Sequence, residues 1–140
     1  MTLRTGMAET PTVCEISAEV SLLAVRASLR AAATELSFGI VGQTKLITAA
    51  SELARNILRY AARGTMVVER VHDAARAGLR VRFEDRGPGI EDLDLALQDG
   101  YSTGDSMGVG LPGARRLVDE FHIESERGRG TVVEITMWRR

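Results

Sequence analysis

Two pairs of β-rich runs, each closed by a short polar loop that ends in glycine, constrain this chain more than any other feature. Thr65–His72 and Leu79–Glu84 flank Asp73–Gly78, and Phe121–Glu126 and Thr131–Trp138 flank Arg127–Gly130. Connections this short join antiparallel neighbours, so an all-parallel sheet is ruled out. In the last run Val133, Ile135 and Met137 alternate onto one face. Val13–Ile16 supplies a further short strand. Between the strands, Val20, Leu23, Ala24, Ala27 and Ala31 recur at helical spacing toward Leu36, with Gly39 placed to end that helix. From Gly42 to Ala61 a second helix carries the stripe Leu46, Ala50, Leu53, Ile57 and Ala61, widened by Ile47, Ala54 and Leu58, with Gly64 as its stop signal. Glu91–Gln98 reads as a short helix, Gly100–Gly108 as a flexible loop, and Leu111–Glu120 resumes helical spacing. The expected fold is α/β, of the α+β two-layer sandwich kind: a mixed, largely antiparallel sheet of about five strands with about three main helices on one face.

At 140 residues the chain has the length of one domain, expected over 12–140, with the polar residues 1–11 as a mobile N-terminal arm that lacks the apolar segment of a secretion signal. Only 4% of residues are aromatic, so the core must be aliphatic. A formal net charge of -1 provides no field to recruit nucleic acid or an acidic membrane. No apolar run reaches the roughly 18 to 20 residues that a membrane span requires. Cys14, the sole cysteine, excludes an internal disulfide, makes the reducing cytoplasm the expected home, and reads as a small apolar filler of the first strand. His72 and His122 stand without acidic or thiol neighbours at ligand spacing, which argues against a zinc site.

Three constellations carry possible chemistry. Glu52 and Asn56, four residues apart, project side by side from the second helix. A carboxylate beside a carboxamide oxygen suits Mg²⁺ and an activated hydroxyl, and the plain alternative is a polar helix edge. Asp85-Arg-Gly-Pro-Gly89 follows a strand. Its glycines allow a sharp turn and close approach of a planar ring, while the aspartate accepts hydrogens from an exocyclic amine and so favours adenine over guanine; the alternative is an ordinary turn. Gly108-Val-Gly-Leu-Pro-Gly113 opens a helix, where free amides and the positive dipole end cradle phosphate oxygens. The same letters fit the dinucleotide fingerprint, but polar loop residues precede them where that motif needs a strand. Gly100-Tyr-Ser-Thr-Gly104 fits a hydrolase elbow in letters only, since a helix rather than a strand is expected before it. There is no Walker-type phosphate loop.

The order of these boxes, followed by a closing hairpin with Gly130-Thr131, resembles the N, G1 and G2 boxes of the GHKL (Bergerat-fold) ATPases, the histidine-kinase-like fold. The resemblance runs from Val13 to Trp138. More narrowly, Ser51-Glu-Leu-Ala-Arg-Asn56, Glu84-Asp-Arg-Gly-Pro-Gly-Ile90 and Gly108-Val-Gly-Leu-Pro-Gly-Ala-Arg-Arg-Leu-Val-Asp-Glu-Phe121 resemble RsbT-type serine/threonine kinases of bacterial stress signalling. The resemblance implies ATP and Mg²⁺ as cofactors, with Asn56 on the metal and Glu52 as the base toward the acceptor hydroxyl. It places Asp85 on the adenine amine, Gly87 and Gly89 around the base, and Gly108, Val109, Gly110, Leu111 and Gly113 along the triphosphate. Thr131 supports the adenine end, and Asp105 and Ser106 lie in a lid. Arg115 and Arg116 could reach phosphate or a partner, but two arginines on a helix are more often a solvated face, and Arg86 receives no role.

The implied activity is transfer of the ATP γ-phosphoryl group to a Ser or Thr of a STAS-domain antagonist or scaffold, which releases the kinase to a downstream phosphatase regulator. The alternative is an anti-sigma factor of the RsbW class, which binds an alternative sigma factor and phosphorylates its antagonist. Leu111-Pro-Gly113 and Asp119-Glu-Phe121 favour the first reading. A nucleotide-dependent adaptor without catalysis is a third class, against which the intact Glu52 and Asn56 speak.

Overall fold

The computed structural model describes residues 10–90, 96–98 and 110–140. Its elements are β1 (Thr12–Ile16), α1 (Ser21–Glu35), α2 (Ile40–Tyr60), β2 (Gly64–His72), β3 (Ala77–Asp85), α3 (Gly110–Leu117), β4 (Glu120–Glu126) and β5 (Gly130–Trp138). The short helix expected at Glu91–Gln98 lies outside the described residues apart from 96–98, and the Gly100–Gly108 loop lies wholly outside them. Of the N-terminal arm, residues 1–9 lie outside as well.

The five strands form one sheet in the order β1-β2-β3-β5-β4, and every neighbouring pair is antiparallel. The largely antiparallel architecture expected from the hairpins is therefore present, with no parallel pair among the described strands. Pleating divides the sheet into two faces, although Val71, Thr136 and Trp138 of the outer one are also buried. Ile16, Met66, Val68, Leu79, Val81, Phe83, Val133, Ile135 and Met137 are buried beneath the helices. The opposite face carries Arg80, Arg82, Glu84, Glu134 and Glu124, joined in part by the Arg80–Glu134 and Arg82–Glu84 ion pairs. One wet face and one dry face are characteristic of an antiparallel sheet with a single helical layer.

α2 is the centre of that layer. Its buried stripe, Leu46, Ala49, Ala50, Leu53, Ala54 and Ile57, lies across the strands, while α1 and α3 pack along its flanks. α1 contributes Leu22, Val25, Leu29 and Ala33. The core is aliphatic as the composition requires, with Phe83 the largest fully buried side chain. Cys14 is half-buried against this core, with its Sγ 3.2 Å from the Ser28 hydroxyl.

The helix ends differ from expectation. α1 is stopped by Ser37 at φ 62, whose neighbour Phe38 donates its N–H to Ala33 O, and Gly39 instead opens α2 in extended conformation. α2 is stopped by Ala62 at φ 71. Gly64 is the first residue of β2, where a Cβ would stand 2.5 Å from Glu84 O and 3.0 Å from Ile57. Its glycine thus serves close strand packing and not termination. α3 ends at Leu117, short of the expected Glu120, because Asp119 turns into the sheet: its N–H donates to Thr136 O and its carboxylate accepts the Trp138 N–H at 2.8 Å.

Candidate active site

One row across the sheet positions half of the site. Ile16, Gly64, Asp85, Thr131 and Ser125 are successive partners on β1, β2, β3, β5 and β4. Asp85 and Thr131 lie two residues beyond the core-facing Phe83 and Val133, so alternation turns both side chains toward the helices. Asp85 Oδ1 accepts the Gly87 N–H at 2.8 Å, an Asx turn that starts the glycine loop. Its second carboxylate oxygen accepts no hydrogen bond from a described residue.

The loop itself is clamped. A Cβ on Gly87 would stand 2.5 Å from that of Ala61, so this residue lies hard against the end of α2. Gly89, at φ 78, approaches Glu126 O so closely that a Cβ would reach 2.3 Å, and Gly128 N–H donates to Pro88 O at 2.8 Å. Gly130, at φ 115, leaves room for the Asp85 carbonyl, which a Cβ would meet at 2.1 Å. Both glycines meet the left-handed requirement and the steric one at once. Ser125, which no local motif marks, completes the clamp. Its Oγ accepts the Ile90 N–H at 2.7 Å, donates to Gly130 O at 3.1 Å and lies 2.8 Å from Thr131 Oγ1. Only its place opposite Thr131 across the hairpin could have pointed to it.

The other half is set by α2 and α3. Glu52 is 8% exposed. A carboxylate so enclosed requires partners. Oε2 accepts Arg55 Nη1 at 2.9 Å, and Oε1 accepts the Gly110 N–H at 3.3 Å. Gly110, at φ 65, begins α3, whose Pro112, Gly113 and Ala114 are buried, with Leu111 half-buried. Gly108 and Val109, together with Asp105 and Ser106, lie outside the described residues. Asn56 sits one turn from Glu52, half-buried, with no hydrogen bond to its carboxamide from a described residue.

α2 is thus the member on which the three stretches meet. Glu52 touches the start of α3, Ala61 touches Gly87, and Asn56 lies between them. At 1.5 Å per residue the two contacts are about 14 Å apart along the helix. These contacts bring the Asp85 turn and the glycine start of α3 to one helix.

A cavity of about 430 Å³ shares Asp85, Ser125, Gly130 and Thr131 with these contacts and is also lined by Glu84, Glu124 and Val132 of the wet face, with Arg86, Glu126 and Arg129. It includes no residue of α2 or α3. Arg115 and Arg116 are exposed on α3. No group of three or more His, Cys, Asp and Glu among the described residues could hold a metal ion by itself.

Residues 42–140 match the family model described as histidine kinase-, DNA gyrase B-, and HSP90-like ATPase. The chain belongs to this ATPase family. Along most of its length it is also similar to the serine/threonine-protein kinase RsbT of Bacillus subtilis, with 45% identity over 125 residues, 89% of this chain and 94% of that protein. Similarity to the anti-sigma F factor of a Thermoanaerobacter species is 33% over 67 residues, 44% of this chain and 47% of that one. Among solved structures, that of the RsbU and RsbW domains of Rv1364c from Mycobacterium tuberculosis superposes with a TM-score of 0.66 over 94% of this chain, at 20% identity. The chain spans 34% of that structure, and the likeness establishes a shared fold. The histidine kinase-like ATPase match begins at the start of α2, so Glu52, Asn56, the Asp85 turn, α3 and the final hairpin all lie inside it. With the family, the RsbT-like character and the fold that the boxes implied are in place. No helix among the described residues is long and apolar enough to cross a membrane.

Proposed function

We propose that this chain is an ATP-dependent protein serine/threonine kinase and switch protein. The observation that carries the reading is convergence on α2: the carboxylate of Glu52 reaches the glycine start of α3, while the Asp85 turn abuts the far end of the same helix. Similarity to RsbT over nearly the full length of both chains supports it.

In this reading the free oxygen of Asp85 accepts the adenine amine, and Thr131, held by Ser125, supports the same end. Gly87 and Gly89 admit the ring. The backbone of Gly108 to Gly113 receives the phosphates, with Val109 and Leu111 among its residues. The half-buried carboxamide of Asn56, which has no hydrogen bond from a described residue, fits a magnesium ion, which favours oxygen ligands and takes most of them from phosphates and water. Bound Mg²⁺ would neutralise charge on the phosphates. Glu52 takes the proton of the acceptor hydroxyl as that oxygen attacks the γ-phosphorus, and ADP leaves. Positioning and electrostatics suffice for such a transfer, so few protein groups are needed.

The acceptor we infer is a Ser or Thr of a STAS-domain antagonist or scaffold in the cytoplasm, and the released kinase then engages a phosphatase regulator. The RsbT-like motifs support that choice. Incubation of the purified chain with Mg²⁺, γ-labelled ATP and candidate STAS-domain proteins tests it. Label on a Ser or Thr of the partner is the expected result. ATP binding with no transfer to any candidate would reduce the chain to an adaptor, and tight capture of a sigma factor would favour the RsbW-like alternative, consistent with the partial similarity to anti-sigma F factor.

A further inference from the structure

Glu52 is anchored by two bonds of unequal quality. The contact with Arg55 is 2.9 Å and joins opposite charges, whereas that with Gly110 is 3.3 Å, long for an amide on a carboxylate. The weaker bond uses a backbone N–H at the start of α3, the very group that an incoming phosphate would claim. Resting on the kinase reading above, we propose that Arg55 is a positioning residue for phosphoryl transfer: it keeps Glu52 aimed at the acceptor once the nucleotide has taken Gly110 from it.

Several features single out Arg55. An i,i+3 pair on a solvated helix face contributes little, but here the acidic partner is enclosed, with a side chain 11% exposed against 39% for Arg55. The arginine lies at the more exposed edge of the helix while the carboxylate stays enclosed. Among the described residues nothing else holds Oε2. On the same stretch of α2, Arg26 of α1 is spent on Ser51, whose hydroxyl also donates to Ile47 O, so it does not substitute. Loss of Arg55 therefore leaves a nucleotide-bound protein with a base free to swing. A displacement of about 1 Å at a catalytic group costs on the order of 100-fold in rate.

The test is a double-mutant cycle on steady-state transfer, with ATP affinity measured separately by calorimetry. Arg55→Ala should lower kcat roughly 10- to 100-fold with ATP affinity unchanged within about twofold. Arg55→Lys, which retains the charge at similar reach, should recover most of that loss. Combined with Glu52→Gln, Arg55→Ala should cost nothing further, because it acts through a base already removed. Wild-type kcat in Arg55→Ala overturns the proposal, as do parallel losses of kcat and ATP affinity or additive effects in the double variant. Thermal melts of both single variants separate misfolding from mispositioning, and Arg55→Lys failing to recover rate while melting normally also counts against it. If the wild-type chain binds ATP but transfers nothing, the kinase reading itself fails and this inference goes with it.

Discussion

Three side chains divide the work in the proposed site, and each can be substituted without removing an apolar core residue. Glu52→Gln keeps size and the ability to accept the Gly110 N–H but cannot take a proton, so transfer should fall about 10²- to 10⁴-fold while ATP still binds; transfer at the wild-type rate would remove Glu52 from the chemistry. Asn56 is half-buried and forms no hydrogen bond with a described residue, so Asn56→Ala should fold normally. The same variant should lose Mg²⁺-dependent transfer, which a melting curve beside a labelled-ATP assay checks. Asp85→Asn is more informative still. Its carboxamide oxygen can keep the Gly87 turn, which leaves an NH₂ group facing the adenine amine, donor against donor. A hydrogen bond to a charged acceptor contributes about 1.5–3 kcal/mol, so ATP affinity should fall roughly 10-fold or more. Undiminished affinity by calorimetry would refute the adenine role.

Elements meet the site through backbone conformations that the chain holds at particular residues. Gly130 is at φ 115 with the Asp85 carbonyl where a Cβ would be. Gly130→Ala should therefore cost about 2–4 kcal/mol, through strain and overlap together, and should weaken ATP binding because the overlap displaces the backbone of Asp85. Urea melts and calorimetry would show whether both losses occur. Ala62 offers the reverse case. It ends α2 at φ 71, a conformation that a Cβ disfavours and glycine adopts freely. Ala62→Gly should raise stability by about 0.5–1 kcal/mol, the relief of left-handed strain less the greater freedom of glycine when unfolded. A fall in the urea midpoint would show that the Ala62 methyl packs favourably.

At the scale of the whole molecule, the chain's last residues are tied back to the α3–β4 junction. Asp119 accepts both Arg140 Nη groups, at 2.7 and 3.0 Å, together with the Trp138 N–H. The Trp138 indole donates to Glu120 and is covered by the Arg76 guanidinium, 4.0 Å from the ring centre. The hydrogen bonds from Arg140, opposed by partial burial and reinforced by the Trp138 amide, hold the Asp119 carboxyl below its ordinary value. A depressed carboxylate stabilises the fold fully above the unfolded pKa, near 3.9, and that contribution is lost as pH falls through the lower folded value. Asp119→Asn should thus destabilise the protein near neutrality, and the gap from wild type should narrow under acid; equal gaps in urea melts at both pH values would contradict the linkage. Asp119 and Glu120, part of the RsbT-like run, also secure the end of β5. The order of strands and helices, the aliphatic core and the three boxes were all legible in the chain, because periodicity and turn chemistry act over a few neighbouring residues. What only the tertiary structure decided were contacts such as Glu52 with Gly110, 58 residues apart, and Ile90 with Ser125, 35 apart. It also decided that Ser37 and Ala62, rather than Gly39 and Gly64, end the helices, and that Gly64 makes room for a neighbouring strand. Local sequence encodes which face is apolar, whereas the partner of a polar group is chosen by what packing brings within hydrogen-bond reach.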